Sequence, residues 1–190
     1  MTRRSIFARL VLFGLLATGA GAAAVTRAAP DFTINLTGGR TASLSQYKGK
    51  TVALIFILTY CPHCQKIVSF LTQDQNDYGP RGFQVLASAI EDGAAAAVPG
   101  FLKKFNPPFP VGSNARALAL NFLQHPIAER LIMPQLVFID RQGMIRAQYP
   151  GDSAFLDEAQ AEKNIRGKIE ELLKESAPAA AKKRTRTAEK

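Results

Sequence analysis

The junction at residues 51–64 restricts this chain more than any other stretch. Thr51 to Leu58 (TVALIFIL) is an unbroken run of apolar and β-branched residues, the pattern of a strand buried on both faces. Through Thr59 and Tyr60 it passes into Cys61-Pro62-His63-Cys64, which opens a helical pattern reaching Tyr78. A strand buried on both faces needs neighbouring strands beside it and covering layers above and below. The chain supplies both. Phe83 to Ala89 (FQVLASA) and Gln135 to Asp140 (QLVFID) read as further buried strands. Met144 to Tyr149 alternates after Arg141-Gln142-Gly143 and reads as a hairpin partner of Gln135 to Asp140. Helical periodicity fits Pro62 to Tyr78, Ala94 to Phe105, Asn114 to Gln124 and Asp152 to Lys174. In the last of these, Asp152 and Ser153 are cap candidates and Phe155, Ala159, Ile165, Ile169 and Leu172 form the apolar stripe. The expectation is an α/β fold with an antiparallel pair near its end and no internal repeat.

Composition removes several alternatives. With 190 residues, 47% hydrophobic and 21% charged, the chain is neither wholly disordered nor collagen-like nor a multi-pass membrane protein, and two cysteines make no disulfide scaffold. The net charge of +9 suggests nucleic acid until it is located. Residues 1–29 carry four arginines and no acid, and residues 177–190 carry five basic residues against Glu189 alone. Residues 30–176 are therefore left near neutrality, so no nucleic-acid partner is expected.

The ends read differently from the middle. Basic residues, then the uncharged run from Leu10 to Thr26, then Ala20, Ala22 and Ala24 in A-x-A spacing have the order of a secretory signal peptide. An N-terminal membrane anchor is the second reading, because the run is short of the ~20 apolar residues of a spanning helix. Arg3-Arg4 fits a twin-arginine signal or a general secretory one. No cysteine lies near the end of this segment, which excludes a lipoprotein anchor. Residues 177–190 read as a disordered basic tail. The expected organisation is therefore a signal or anchor over 1–29, one domain over 30–176 and a tail over 177–190, in a protein exported to, or anchored facing, the periplasm.

The chemistry sits where the first buried strand ends. Cys61 and Cys64 are three residues apart on a first helical turn, a spacing that closes a small disulfide ring. Pro62 suits the first helical position because its missing N–H has no intrahelical partner there. Free N–H groups and the positive end of the helix dipole favour a thiolate at Cys61, the more exposed cysteine, and a protonated His63 adds a second favourable charge. A thiolate is the species that attacks a disulfide, so the turn holds a nucleophile and a resolving thiol. A purely structural disulfide and a metal site are the other uses of such a pair. Zinc takes four ligands, and beyond Cys61, Cys64 and His63 only His125 offers another nitrogen. No metal or cofactor is expected.

Ala29-Pro30-Asp31-Phe32-Thr33, Leu44-Ser45-Gln46-Tyr47-Lys48-Gly49-Lys50, Cys61-Pro62-His63-Cys64, and Met133-Pro134 followed by Leu136-Val137-Phe138-Ile139-Asp140 and Gly143 together resemble the TlpA/ResA-type thioredoxin-like proteins of the AhpC/TSA (redoxin) superfamily. The resemblance runs over about residues 29–174. It implies a thioredoxin-like three-layer sandwich, a central mixed sheet with helices on both faces. It also implies a redox-active Cys61–Cys64 disulfide and a cis-proline at Pro134 that packs against it. Met133, Pro134 and Tyr60 would then form the docking edge for an exported protein substrate, with a membrane or periplasmic partner recycling a monomeric enzyme. Three positions depart from the pattern. Tyr60 stands where the family has tryptophan, Ile55 where thioredoxins have a buried acid, and Ile67 where some ResA-type members have a helix glutamate.

A peroxiredoxin, with antioxidant activity, is the alternative within the superfamily; its P-x-x-x-T-x-x-C order is absent, because Thr59 is two residues before Cys61 and no proline precedes it in the strand. A Sco-type copper module resembles C-x-x-x-C with a distant histidine, and the spacing here is one residue short.

Overall fold

A computed structural model describes residues 26–175; the expected signal segment, apart from its last four residues, and the basic tail lie outside them. The chain forms β1 (Arg27–Ala28), β2 (Thr33–Asn35), β3 (Thr41–Ser43), β4 (Thr51–Ile57), α1 (Pro62–Tyr78), β5 (Phe83–Ala89), α2 (Ala94–Phe105), β6 (Val111–Ser113), α3 (Arg116–Leu123), β7 (Gln135–Ile139), β8 (Met144–Pro150) and α4 (Ala161–Lys174). All eight strands join one mixed sheet in the order β1-β8-β7-β4-β5-β6-β2-β3. β4 is central, parallel to β5 and antiparallel to β7, and every residue of these three strands is buried.

Alternation along β4 divides the core. Ala53, Ile55 and Ile57 face a layer formed by Ile67, Val68 and Leu71 of α1, Val98 and Phe101 of α2, and Ile165, Ile169 and Leu172 of α4. Val52, Leu54 and Phe56 face Ala119, Phe122 and Leu123 of α3, with Phe32 and Ile34 closing the same side. Helices thus cover both faces, the three-layer arrangement expected from the continuous apolar runs.

Three expectations about boundaries need correction. Asp152 to Lys174 is not one helix. A short 3-10 turn spans Ala154–Leu156, and α4 begins only at Ala161. Asp157 breaks the run, since its carboxylate accepts the Ala159 N–H at 3.0 Å and its backbone is extended, a local bond that competes with helix. Asp152 and Ser153 therefore cap no part of α4, and Ala159 is exposed rather than on the stripe. At α3, Asn114 lies outside the helix because its side chain accepts from Ser88 Oγ at 2.8 Å and donates to the Thr33 carbonyl at 2.9 Å, tying β2 to β5. At the N-terminus the sheet starts ahead of Pro30. Arg27 and Ala28 pair with Ile145 and Met144, and the Arg27 guanidinium donates to the Phe122 carbonyl and Gln148 Oε1. Among the described residues no helix is long and apolar enough to cross a membrane.

Candidate active site

The dithiol is built by the β4–α1 connection. Cys61 is the N-cap of α1, in extended backbone, and Pro62 follows at the first helical position. The Cys64 N–H points at Cys61 Sγ, 3.3 Å away, so an otherwise orphaned donor of the first turn faces the sulfur. Both cysteines are free thiols, the dithiol form of the pair. They differ in environment. Cys61 is half-buried, whereas Cys64 is fully buried in the cluster that holds Ile55 and Ile67. Burial pushes the Cys64 thiol well up, and the neighbouring Cys61 adds to this, offset in part by a backbone hydrogen bond at Leu58. One sulfur is thus reachable as a nucleophile while the other keeps its proton until a reaction demands it.

His63 has a partner outside the dithiol. Its Nε2 donates to the Leu156 carbonyl at 2.9 Å, which binds the first turn of α1 to the 3-10 turn before α4. Among the described hydrogen bonds of His63, none joins it to either sulfur. His125, the other histidine, donates to the Pro126 carbonyl from the loop after α3.

The remaining expected residues gather at the same edge of the sheet. In the β4–β7 ladder Phe56 pairs with Gln135, so Pro134, one residue earlier, lies at the end of the sheet from which Leu58 to Cys61 emerge. The Met133–Pro134 peptide is cis, Pro134 is buried and Met133 is half-buried. Two contacts hold this segment. Gly151 N–H and Gln135 Nε2 both donate to the Ile132 carbonyl, at 3.1 and 2.6 Å. A Cβ on Gly151 would stand 2.2 Å from the Met133 carbonyl oxygen, so the close approach requires glycine. Tyr60, 68% exposed, projects from the connection just before Cys61.

Three further groups stand at this edge. Glu91, two residues beyond β5, accepts the Thr59 N–H at 3.0 Å and the Thr59 hydroxyl on the same oxygen. Gln65 donates from α1 to the Thr59 carbonyl at 2.8 Å. The third is the Leu156 carbonyl. Only Glu91 left a signal in the sequence: an acid just past a buried strand belongs to the edge where loops of an open α/β sheet converge.

The chain is similar to proteins with this chemistry. "Thiol-disulfide oxidoreductase ResA" of Bacillus subtilis is 31% identical over 83 residues, 44% of this chain and 46% of that protein. "Peroxiredoxin Q, chloroplastic" of Triticum aestivum is 35% identical over 81 residues, 42% of this chain and 36% of that protein. The chain thus spans about half the length, or less, of these curated relatives. A crystal structure described as a putative thiol:disulfide interchange protein DsbE from Chlorobium tepidum superposes with a TM-score of 0.63 at 25% identity, covering 78% of this chain and 99% of that one. Residues 24–165 match the Redoxin family. With three-quarters of its length under that match and a thioredoxin-like fold around a dithiol turn, the chain belongs to the Redoxin family.

Proposed function

We propose that the protein is an exported thiol-disulfide oxidoreductase that exchanges disulfides with protein substrates through Cys61 and Cys64. The observation that carries this reading is the asymmetry of the pair: a reachable Cys61 sulfur at a helix N-cap and a buried, proton-holding Cys64 one turn further on. In the reducing direction the Cys61 thiolate attacks a substrate disulfide, forming a mixed disulfide and releasing one substrate sulfur, which takes a proton. Cys64 then gives up its proton and attacks the Cys61 sulfur. The Cys61–Cys64 disulfide forms, the second substrate sulfur leaves, and two electrons have passed to the substrate. Met133, Pro134 and Tyr60, at the same end of the sheet as the dithiol, shape the edge on which an extended substrate segment lies. No bound cofactor is needed, and a periplasmic or membrane partner restores the dithiol. Export rests on the order of residues in 1–29.

The test is capture of the intermediate. Cys64→Ser should accumulate mixed disulfides with exported proteins, and Cys61→Ser should accumulate almost none. Equal trapping by both variants, or by neither, overturns the assignment. The likeness to peroxiredoxin Q supports a second reading, peroxide reduction, in which turnover of hydrogen peroxide would survive in Cys64→Ser.

A further inference from the structure

Glu91 stands outside the exchange chemistry described above, yet its carboxylate is fixed beside it. Oε1 takes both donors of Thr59, the N–H and the hydroxyl. Oε2 is shielded from solvent and has no hydrogen-bond donor, and no cation pairs with Glu91 among the described residues. Among the described residues, the hydrogen-bond donors its side chain meets are two neutral groups of a single residue, Thr59. That residue lies two positions before Cys61, and its neighbour Leu58 makes the backbone hydrogen bond to the Cys64 thiol. The two sides of the dithiol thus carry opposite fields. From the helix side, the N-terminus of α1 favours negative charge on sulfur. From the strand side, the Glu91 carboxylate disfavours it.

Resting on the proposed exchange activity, we propose that the Glu91 carboxylate, fixed in place by Thr59, acts as a charge that makes the Cys61–Cys64 pair more reducing than it would be without it. Reducing the Cys61–Cys64 disulfide at neutral pH creates a dithiol whose stability rises with any group that stabilises a thiolate, and an uncompensated carboxylate subtracts from that stability. The dithiol is left the stronger electron donor.

Two variants separate charge from architecture. Glu91→Gln keeps an oxygen that accepts both Thr59 donors and removes the charge; Glu91→Asp keeps the charge on a shorter arm. Full-length protein is equilibrated against reduced and oxidised glutathione at neutral pH, and the dithiol fraction is read by thiol labelling. With the carboxylate's charge removed, Glu91→Gln should shift the equilibrium toward the dithiol by more than about threefold, about 15 mV for two electrons. Glu91→Asp should stay within about twofold of wild type. An unmoved Glu91→Gln, a shift toward the disulfide, or a Glu91→Asp that moves as far as Glu91→Gln overturns the proposal. Wild-type protein that fails to equilibrate with glutathione at all overturns the exchange reading itself, and the inference with it.

Discussion

Helix α1 carries a buried acid in its first turn and another near its last. Cys64 is fully buried and Asp74 is 1% exposed, and burial raises the pKa of both. What differs is the cost. A thiol is neutral at pH 7 with or without burial, so hiding Cys64 takes nothing from stability at that pH and leaves a proton to be released during exchange. A carboxyl is ionised at pH 7 in the unfolded chain, and burial pushes Asp74 from the ordinary 3.8 up to about 7. Arg166 sits 3.0 Å from Asp74 Oδ1, a pairing that by itself would pull the value down. Burial prevails because Oδ2 has no donor, Asp77 and Glu162 add like charge, and the half-exposed Arg166 also serves Asp77 at 2.8 Å. Arg166 further lies over the Tyr78 ring, whose hydroxyl donates to Glu170, so the far end of α1 is a polar seam against α4. Burial of an acid near one end of a helix makes a reactive site and near the other makes a liability.

Three measurements press on this contrast beyond those given above. The largest effect belongs at the reactive end, where Gly151→Ala drives a methyl against the Met133 carbonyl. A loss of about 2–4 kcal/mol is expected from chemical denaturation, of the order seen for overpacked, backbone-limited sites. Near-wild-type stability would show that the 132–134 segment has room to yield. Next comes the seam. Because folding raises the Asp74 pKa, the native state holds more protons than the unfolded chain between about pH 4 and pH 7, and stability falls as pH rises through that window. Asp74→Asn should flatten this part of the stability–pH curve, by a few kcal/mol at most across the window. Identical slopes in the two proteins would show that Asp74 does not titrate there. The smallest effect is expected for His63→Ala, which loses one bond to the Leu156 carbonyl and about 1 kcal/mol of stability. With the imidazole turned to that carbonyl, the glutathione equilibrium should move less than twofold; a larger shift toward the disulfide would restore His63 as an electrostatic partner of Cys61.

What the sequence revealed follows from the range of the forces involved. α1, α2 and β5 have the boundaries their periodicity dictates, since the pattern of burial is written along each element. The dithiol turn was equally legible, because both sulfurs, the proline and the helix start lie within four residues. β1, β2, β3 and β6 have two or three residues each, too few to show a period. The break before α4 is hidden because an aspartate within a helical pattern looks the same in sequence whether it is a solvated helix position or, as Asp157 is, a local hydrogen-bond acceptor. The partners of Glu91 and of the Leu156 carbonyl are hidden for a different reason: both groups reach the site across 32 and 93 residues of chain, and only the assembled sheet brings them there.

That last separation bears on how the protein is made. Synthesis delivers both cysteines while nearly a hundred residues still separate them from the turn that anchors His63, and contacts of such long range form late because a large loop must close first. Until β7, β8 and the 154–156 turn arrive, the nascent chain displays a thiol pair without its C-terminal supports. A chain that ends before the 154–156 turn is therefore expected to hold its first α1 turn less firmly than the full-length one.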